Sequence, residues 1–454
     1  MFLKKSKSNE VKSHRIISKP QKQFKMNKAI YLTAFLGLLL TACKKNEYDD
    51  NTGVGGTISR AVFVEENKPI WQLDFEDNFD GTSINEKDWG IYDDSQNQEI
   101  RNHVGQPYEQ FPRRKENVKV NNNTAKFYAR KNNYMITTGG MGLRRNDLYG
   151  RFMTNIRVGG ALNLVSGVAL TWPESEIWPK DGEVDFYETL YSHYNWMSWA
   201  HWGMQVNNNH PKISHTYDFN PSQWHTVIYE WNPDTLKFYV DGMLRWTVDK
   251  TNYPEAIPQK NHHLALQADA KSLKDANDSF VVNRDESWLE VDYARFYKRW
   301  IMVRQLAGSE NSRASISVEK NEIKISNGTN SCRTNNALYT AVYVEQGKSY
   351  DVSATISTSG GVSNSWVELF LGDTQPWPNN DYNTGKIYGV DTWKGCFTTP
   401  LNGVSMQSLS CNPSRSNGVF TAPKTGIMYF VLKFGSWDGY IQDLRITNIS
   451  FKKR

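Results

Sequence analysis

From Ile70 to about Trp300 the chain is a succession of short runs in which apolar and polar residues alternate, separated by Gly, Asn, Asp and Pro. Alternation with period two gives a strand one apolar face, and that face must be buried against a second layer. Leu148–Val158, Gly167–Trp172, Trp224–Trp231, Leu236–Val240 and Trp288–Tyr297 all read this way. Asp241-Gly242 lies between Lys237–Val240 and Met243–Trp246, the turn dipeptide of a two-residue hairpin. No stretch keeps a long 3.6-residue period. The expectation is an all-β fold, a two-sheet sandwich over this span.

A chain of 454 residues exceeds one ordinary domain. Residues 301–313 interrupt the alternation and read as a short linker. From Ala314 to Arg454 alternation resumes in Tyr350–Ser357, Trp366–Leu371, Ile427–Phe434 and Leu444–Phe451, enough for a second, smaller β-sandwich. The expected organisation is a leader over 1–42, a flexible tether over 43–69, a first β unit over 70–300, the linker at 301–313 and a second sandwich over 314–454.

The leader decides how the charge is read. Residues 1–42 carry nine Lys/Arg and one Glu, so the overall +5 belongs to the leader and the remainder is mildly acidic. Nothing calls for a nucleic-acid partner. The apolar run Ala29–Leu40 is shorter than the ~20 residues that span a bilayer and reads as a signal peptide. Leu40-Thr41-Ala42-Cys43 resembles the lipobox of bacterial lipoproteins, with Cys43 as the lipid anchor after cleavage. That resemblance implies a lipid-anchored protein of the bacterial cell envelope, in the outer membrane, periplasmic or surface-exposed. A plain secretory signal is the alternative, and Met26 is an alternative start. The remaining cysteines, Cys332, Cys396 and Cys411, allow at most one intramolecular disulfide, and residues 44–331 contain no thiol for catalysis or metal binding.

The segment Trp178-Pro179-Lys180-Asp181-Gly182-Glu183-Val184-Asp185-Phe186-Tyr187-Glu188 carries the chemistry. Glu183 and Asp185, two apart, share a strand face, while Val184 and Phe186 face the core. Strict alternation would bury Glu188, at the cost of an unpaired carboxylate. A one-residue bulge near Phe186-Tyr187 returns it to the acidic face. Glu183 and Glu188 then lie about 13 Å apart at Cα, at ~3.3 Å per residue. Inward-leaning side chains reach a carboxyl separation of about 5–6 Å, that of retaining glycosidases. One carboxylate would attack the anomeric carbon and the other would protonate the leaving oxygen. A strand with several acids on one face is also a common solvated surface.

The flanks add to this. Tyr149-Gly150-Arg151-Phe152, Gly167–Pro173, the acidic segment, His225–Trp231 with Phe238–Gly242, and the closing Val291–Tyr297 together resemble glycoside hydrolase family 16 over about residues 70–298. So does Leu73–Gly81 with Trp89. The resemblance implies a concanavalin-like β-jelly-roll with a cleft on its concave face. It implies Glu183 as nucleophile, Asp185 as assisting acid and Glu188 as general acid/base. The extra residue before Glu188 resembles the bulged laminarinase, agarase and carrageenase branch.

Candidate substrate contacts are Trp172, Trp178, His201, Trp202 and Gln267, because indoles stack on sugar faces and polar side chains bind hydroxyls. The second unit resembles a carbohydrate-binding module in general form, with Trp366, Trp377, Trp393 and Trp437 as a candidate sugar platform. A purely structural sandwich is the other reading of it. No cofactor is required and no metal site is assigned. A structural calcium on Glu76 and Asp292 would resemble that of some relatives. The expectation is therefore a monomeric endo-glycosidase acting on a polysaccharide substrate. A β-1,3- or mixed-linkage glucan ranks first and an agar, porphyran or carrageenan galactan second, with Arg113, Arg114, Lys115, Arg144 and Arg145 as basic groups for a sulfated chain. A non-catalytic glycan-binding lipoprotein and a transglycosylase are the alternatives.

Overall fold

The alternating runs become strands, and nearly all of them pair antiparallel. The computed structural model describes residues 67–454 apart from 103–105, 161–162, 279–285, 306–314, 327–333, 359–361, 383–385, 392–400, 406–417 and 442. The leader, Cys43, the tether up to residue 66, Cys332, Cys396 and Cys411 lie outside the described residues, and the expected tether ends earlier than residue 69, because Pro69 already opens a strand.

The first unit comprises β1 (Pro69–Asp77), β2 (Trp89–Ile91), β3 (Val118–Asn121), β4 (Thr124–Lys131), β5 (Ile136–Thr138), β6 (Gly140–Leu143), β7 (Gly150–Gly160), β8 (Val165–Pro173) and β9 (Glu183–Glu188). It continues with β10 (Trp196–His201), β11 (Lys212–Tyr217), β12 (His225–Trp231), β13 (Thr235–Val240), β14 (Met243–Asp249), β15 (His262–Ala270) and β16 (Glu286–Arg304). β11-β10-β9-β8-β15-β6-β2 form one sheet, and β14-β13-β12-β7-β16 lead the other. Asp241 and Gly242 both have positive φ, as the hairpin between β13 and β14 requires.

The two sheets close on a core rich in aromatic rings. Phe186 of β9 stacks on Tyr229 of β12 at 5.9 Å, and Tyr229 stacks on Phe152 and Phe238. Large flat rings bury much apolar area each. This column therefore fixes β9 against the opposite sheet and holds the other face of β9 toward the concave surface.

The second unit comprises β17 (Ser315–Glu319), β18 (Glu322–Ser326), β19 (Thr334–Val344), β20 (Ser349–Thr358), β21 (Val362–Gly372), β22 (Lys386–Asp391), β23 (Val404–Ser405), β24 (Val419–Thr421), β25 (Gly426–Ile441) and β26 (Leu444–Lys453). β17, β18, β26, β20 and β23 form one sheet, with β24 against β20. β19, β25, β21 and β22 continue the outer sheet of the first unit through β16.

That continuity corrects the linker expected at 301–313. Residues 301–304 are the end of β16 and pair with β19, Ile301 opposite Tyr339 and Val303 opposite Ala337. Ile301-Met302-Val303 extends the apolar alternation of the strand, and Ile301 and Val303 are buried in the second unit. Trp300 and Ile70 belong to its main core as well. Residues 306–313 lie outside the described residues.

Candidate active site

β9 holds the acids where the bulge was expected. Against β10, Asp185 pairs with Trp199 and Glu188 with Met197, so two residues, Phe186 and Tyr187, face one, Ser198. Against β8, Asp185 pairs with Leu170 and Tyr187 with Ala169, which leaves Phe186 as the extra residue. Phe186 and Tyr187 are both fully buried. Glu188 therefore returns to the face of Glu183 and Asp185, and the three acids line one cavity of about 300 Å³.

Alternation on the neighbouring strands supplies the rest of the lining. On β10, Trp196, Ser198 and Ala200 are buried, so Met197, Trp199 and His201 turn to the cleft face. β8 and β15 give an apolar floor of Val168, Leu170 and Ala265 packed against Trp172, and the polar pair Gln267 and Asp269. Leu190 and Lys212 complete the lining. Further along the same face, β6 contributes Gly140 and Gly142. A Cβ on Gly142 would lie 2.6 Å from the Tyr92 hydroxyl, so only glycine lets Tyr92 settle on that strand.

The acids are crowded and poorly solvated. Glu183 is pushed up to about 8, first by burial and then by the Asp185 charge, with His201 and the Trp178 N–H acting against the rise. Glu188 is pushed up to about 7 by burial and by the Asp269 and Glu183 charges, while the Trp199 indole and Lys212 pull it down. Asp185 is raised well above its ordinary value by burial and by Glu188. His201 is lowered by burial, with the Glu183 charge acting against the shift, which favours the neutral ring. A carboxyl that keeps its proton near pH 7 is what a general acid requires.

Other partners orient these groups. The Trp178 indole N–H donates to Glu183 Oε2. Trp178 stacks on Trp172 at 6.4 Å and 8°, and the Trp172 N–H donates to Glu176 at 2.8 Å. His201 Nε2 lies 3.1 Å from Asp185 Oδ2. Glu183, Asp185 and His201 each bring one oxygen or nitrogen within 4.8 Å of the others.

The structure thus brings Glu183, Asp185, Glu188, His201 and Gln267 into one cavity, with Trp172 and Trp178 stacked beside it. Trp202 lies past the end of β10, partly buried against the main core and in a T-shaped contact with Tyr253, outside the lining of this cavity. Trp199, Lys212 and Asp269 line the cavity and were missed. Period two was the available signal, since Trp199 precedes His201 by two residues and Asp269 follows Gln267 by two.

Trp366 is also corrected, being only 4% exposed and therefore core. Trp377 is 61% exposed and free to meet a ligand. Trp393 and the side chain of Trp437 lie outside the described residues. Glu76 is held by Arg295 and Lys320, and Asp292 by Asn155, so a calcium ion between them would have to displace these partners.

Residues 107–284 match the family model described as glycosyl hydrolases family 16. No curated protein matches the chain. Among solved structures, it is similar to the catalytic domain of an endo-1,3-beta-glucanase (laminarinase) from Thermotoga petrophila RKU-1, at 19% identity and TM-score 0.42, covering 51% of this chain and 99% of that one. It is similar to the endo-beta-1,3-glucanase of Pyrococcus furiosus at 20% identity and TM-score 0.40, covering 50% and 95%. It is also similar to a family 16 protein of a Bacteroides ovatus mixed linkage glucan locus at 14% identity and TM-score 0.41, covering 49% and 99%. The chain carries a glycosyl hydrolases family 16 domain over residues 107–284 and is a glycoside hydrolase.

Proposed function

We propose that the protein is a retaining endo-glycosidase that cuts internal β-linkages of a neutral glucan, β-1,3 or mixed-linkage. The bulged strand carries this reading: it sets three poorly solvated carboxylates in one cleft, one of them raised to about 7. Glu183 attacks the anomeric carbon while Glu188 gives its proton to the departing oxygen. Glu188 then takes a proton from water, which displaces Glu183 and restores the starting configuration. For the attack Glu183 must be ionised, so a proton held between it and Asp185, one oxygen of each lying within 4.8 Å, must sit on Asp185, which can donate it to Glu183 as a hydrogen bond. The mechanism needs no cofactor.

Lining residues on both sides of β9 support internal cleavage, Trp199 and Lys212 on one side and Gln267 and Asp269 on the other. Charge supports a neutral chain. Among the described residues that line the cavity, four are acids and Lys212 is the one Lys or Arg. The basic groups that could serve a sulfated galactan are already engaged: Arg113 with Asp269, Lys115 with Glu86, and Arg145 with Asp74 and Asp147. Arg114 and Arg144 donate to backbone carbonyls.

The test is reducing-end release from laminarin, lichenan, agarose, porphyran, carrageenans and xyloglucan by the wild type and Glu183→Ser. Cleavage of laminarin or lichenan by the wild type alone supports the reading. Equal cleavage by the variant removes Glu183 from its role, and binding without cleavage turns the chain into a glycan-binding protein. The lipobox-like Leu40–Cys43 supports a membrane tether as a further part of this proposal. Cys43→Ser is expected to move the protein from the membrane to the soluble fraction, and an unchanged distribution would sink the tether.

A further inference from the structure

The nucleophile and its neighbour are held by a closed ring of side chains. Glu183 accepts the Trp178 indole N–H. Trp178 and His210 meet in a T-shaped contact, ring centroids 4.8 Å apart at 69°. His210 Nε2 lies 2.7 Å from His201 Nδ1, and His201 Nε2 lies 3.1 Å from Asp185 Oδ2. Asp185 follows Glu183 by two residues on the same strand face, and one oxygen of each lies within 4.8 Å of the other, which closes the ring. His210 comes from the turn after β10, which is tied down by Trp202 N donating to Pro211 O and by the Val206–Asn209 pair.

The partners fix the tautomers. His210 Nδ1 is buried and has no partner. A proton there would be an orphaned donor, which is costlier than an orphaned lone pair. The proton of His210 therefore sits on Nε2 and is donated to His201 Nδ1. His201, accepting at Nδ1, carries its own proton on Nε2 and donates it to Asp185 Oδ2.

We propose that His210 is a positioning residue of the active site: its Nε2–H locks His201 in the Nε2–H tautomer, which caps Oδ2 of Asp185 and leaves the other oxygen of Asp185 to face Glu183. Without His210, the His201 ring can exchange tautomers, and its Nε2 then competes for the proton that Asp185 must present to Glu183. The role resembles that of any group that holds a catalytic imidazole in one tautomer. Its catalytic consequence rests on the glycosidase reading, but the tautomer does not.

The test uses full-length protein labelled with 15N-histidine, as wild type, His210→Ala, His210→Gln and His210→Met, with His201→Asn to assign the His201 signals. Long-range 15N–1H spectra of the wild type should show His201 protonated at Nε2 and bare at Nδ1. His210→Ala and His210→Met should show a mixture of tautomers, and His210→Gln, whose amide N–H can reach Nδ1, should restore the single form. On laminarin, His210→Ala should lower kcat by about tenfold with KM within about twofold, and His210→Gln should recover most of it. Thermal melts of His210→Met and His210→Gln separate a folding defect from a positioning one. A wild-type His201 protonated at Nδ1, or one unchanged in both His210→Ala and His210→Met, overturns the proposal. So does an unchanged kcat. If the wild type leaves laminarin uncut, the glucan assignment fails, and the spectra still decide on His210.

Discussion

Glu188 and Glu183 are both raised, and the same shift acts on activity and on stability with opposite value. For activity, Glu188 must hold its proton in the free enzyme. Burial and the charges of Asp269 and Glu183 bring it to about 7. kcat/KM is therefore expected to fall as pH rises through about 7, and Lys212→Met, which removes a cation that lowers Glu188, should move that limb upward. A limb that stays in place would show that another group sets it. For stability, the unfolded Glu183 titrates near 4.5 and the folded one near 8. Between these values the folded chain keeps a proton that the unfolded chain has lost, so stability falls as pH rises from about 4.5 to about 8. Glu183→Gln removes this penalty. It should raise Tm by about 4–10 °C at pH 8 and hardly at all at pH 4, on the order of 2–4 kcal/mol once the shared protons are allowed for. Equal melts at pH 8 would mean that the acids relax into solvent.

At the scale of the strand, β6 shows how a backbone position shapes the cleft. Gly142 lies beneath the Tyr92 hydroxyl and 3.2 Å, by its added Cβ, from the His263 ring. Gly142→Ala must push one of them aside. Laminarin-oligosaccharide affinity should drop about fivefold to tenfold with a small loss in Tm, read by calorimetric titration and thermal melts; unchanged affinity would show that Tyr92 is not part of the cleft. Strands were the most legible part of the sequence, because alternation is a local signal. Leu236–Val240 and Asp241-Gly242 appear in place. The bulge was legible too, since burying Glu188 unpaired had a stated cost. The parity of β10 was legible but not used: His201 fixes the cleft face, and Trp199, two residues earlier, shares it. The partnership of His210 with His201 was not legible, because it depends on how the turn 202–211 folds back. The burial of Trp366 likewise depends on a partner strand far along the chain, Gly435 of β25 lying opposite it.

At the scale of the whole molecule, β16 decides how independent the two β units are. Its 19 residues pair with β4, β7 and β1 in the first unit and with β19 in the second, so one strand serves two cores. β1 follows it: Pro69 and Ile70 lie opposite Ile301 and Trp300. Trp300 is fully buried and its indole N–H donates to Gln72 at 2.8 Å. A bead-on-string arrangement would let the catalytic unit be cut free at residue 305. This arrangement does not, because the cut uncovers Ile70, Trp300, Ile301 and Val303 together and opens an edge of the outer sheet. Each large side chain returned to water costs roughly 1.5–3 kcal/mol. A chain truncated after Gln305 is therefore expected to melt at least about 10 °C lower than the full chain, or to aggregate. Its remaining folded fraction should keep its activity on laminarin, since none of the described residues that line the cavity lies beyond Asp269. A truncated chain that melts with the full one would show that Trp300 and its neighbours find cover within the first unit, and the second unit would then be an appendage whose contribution rests on Trp377 and whatever ligand it meets.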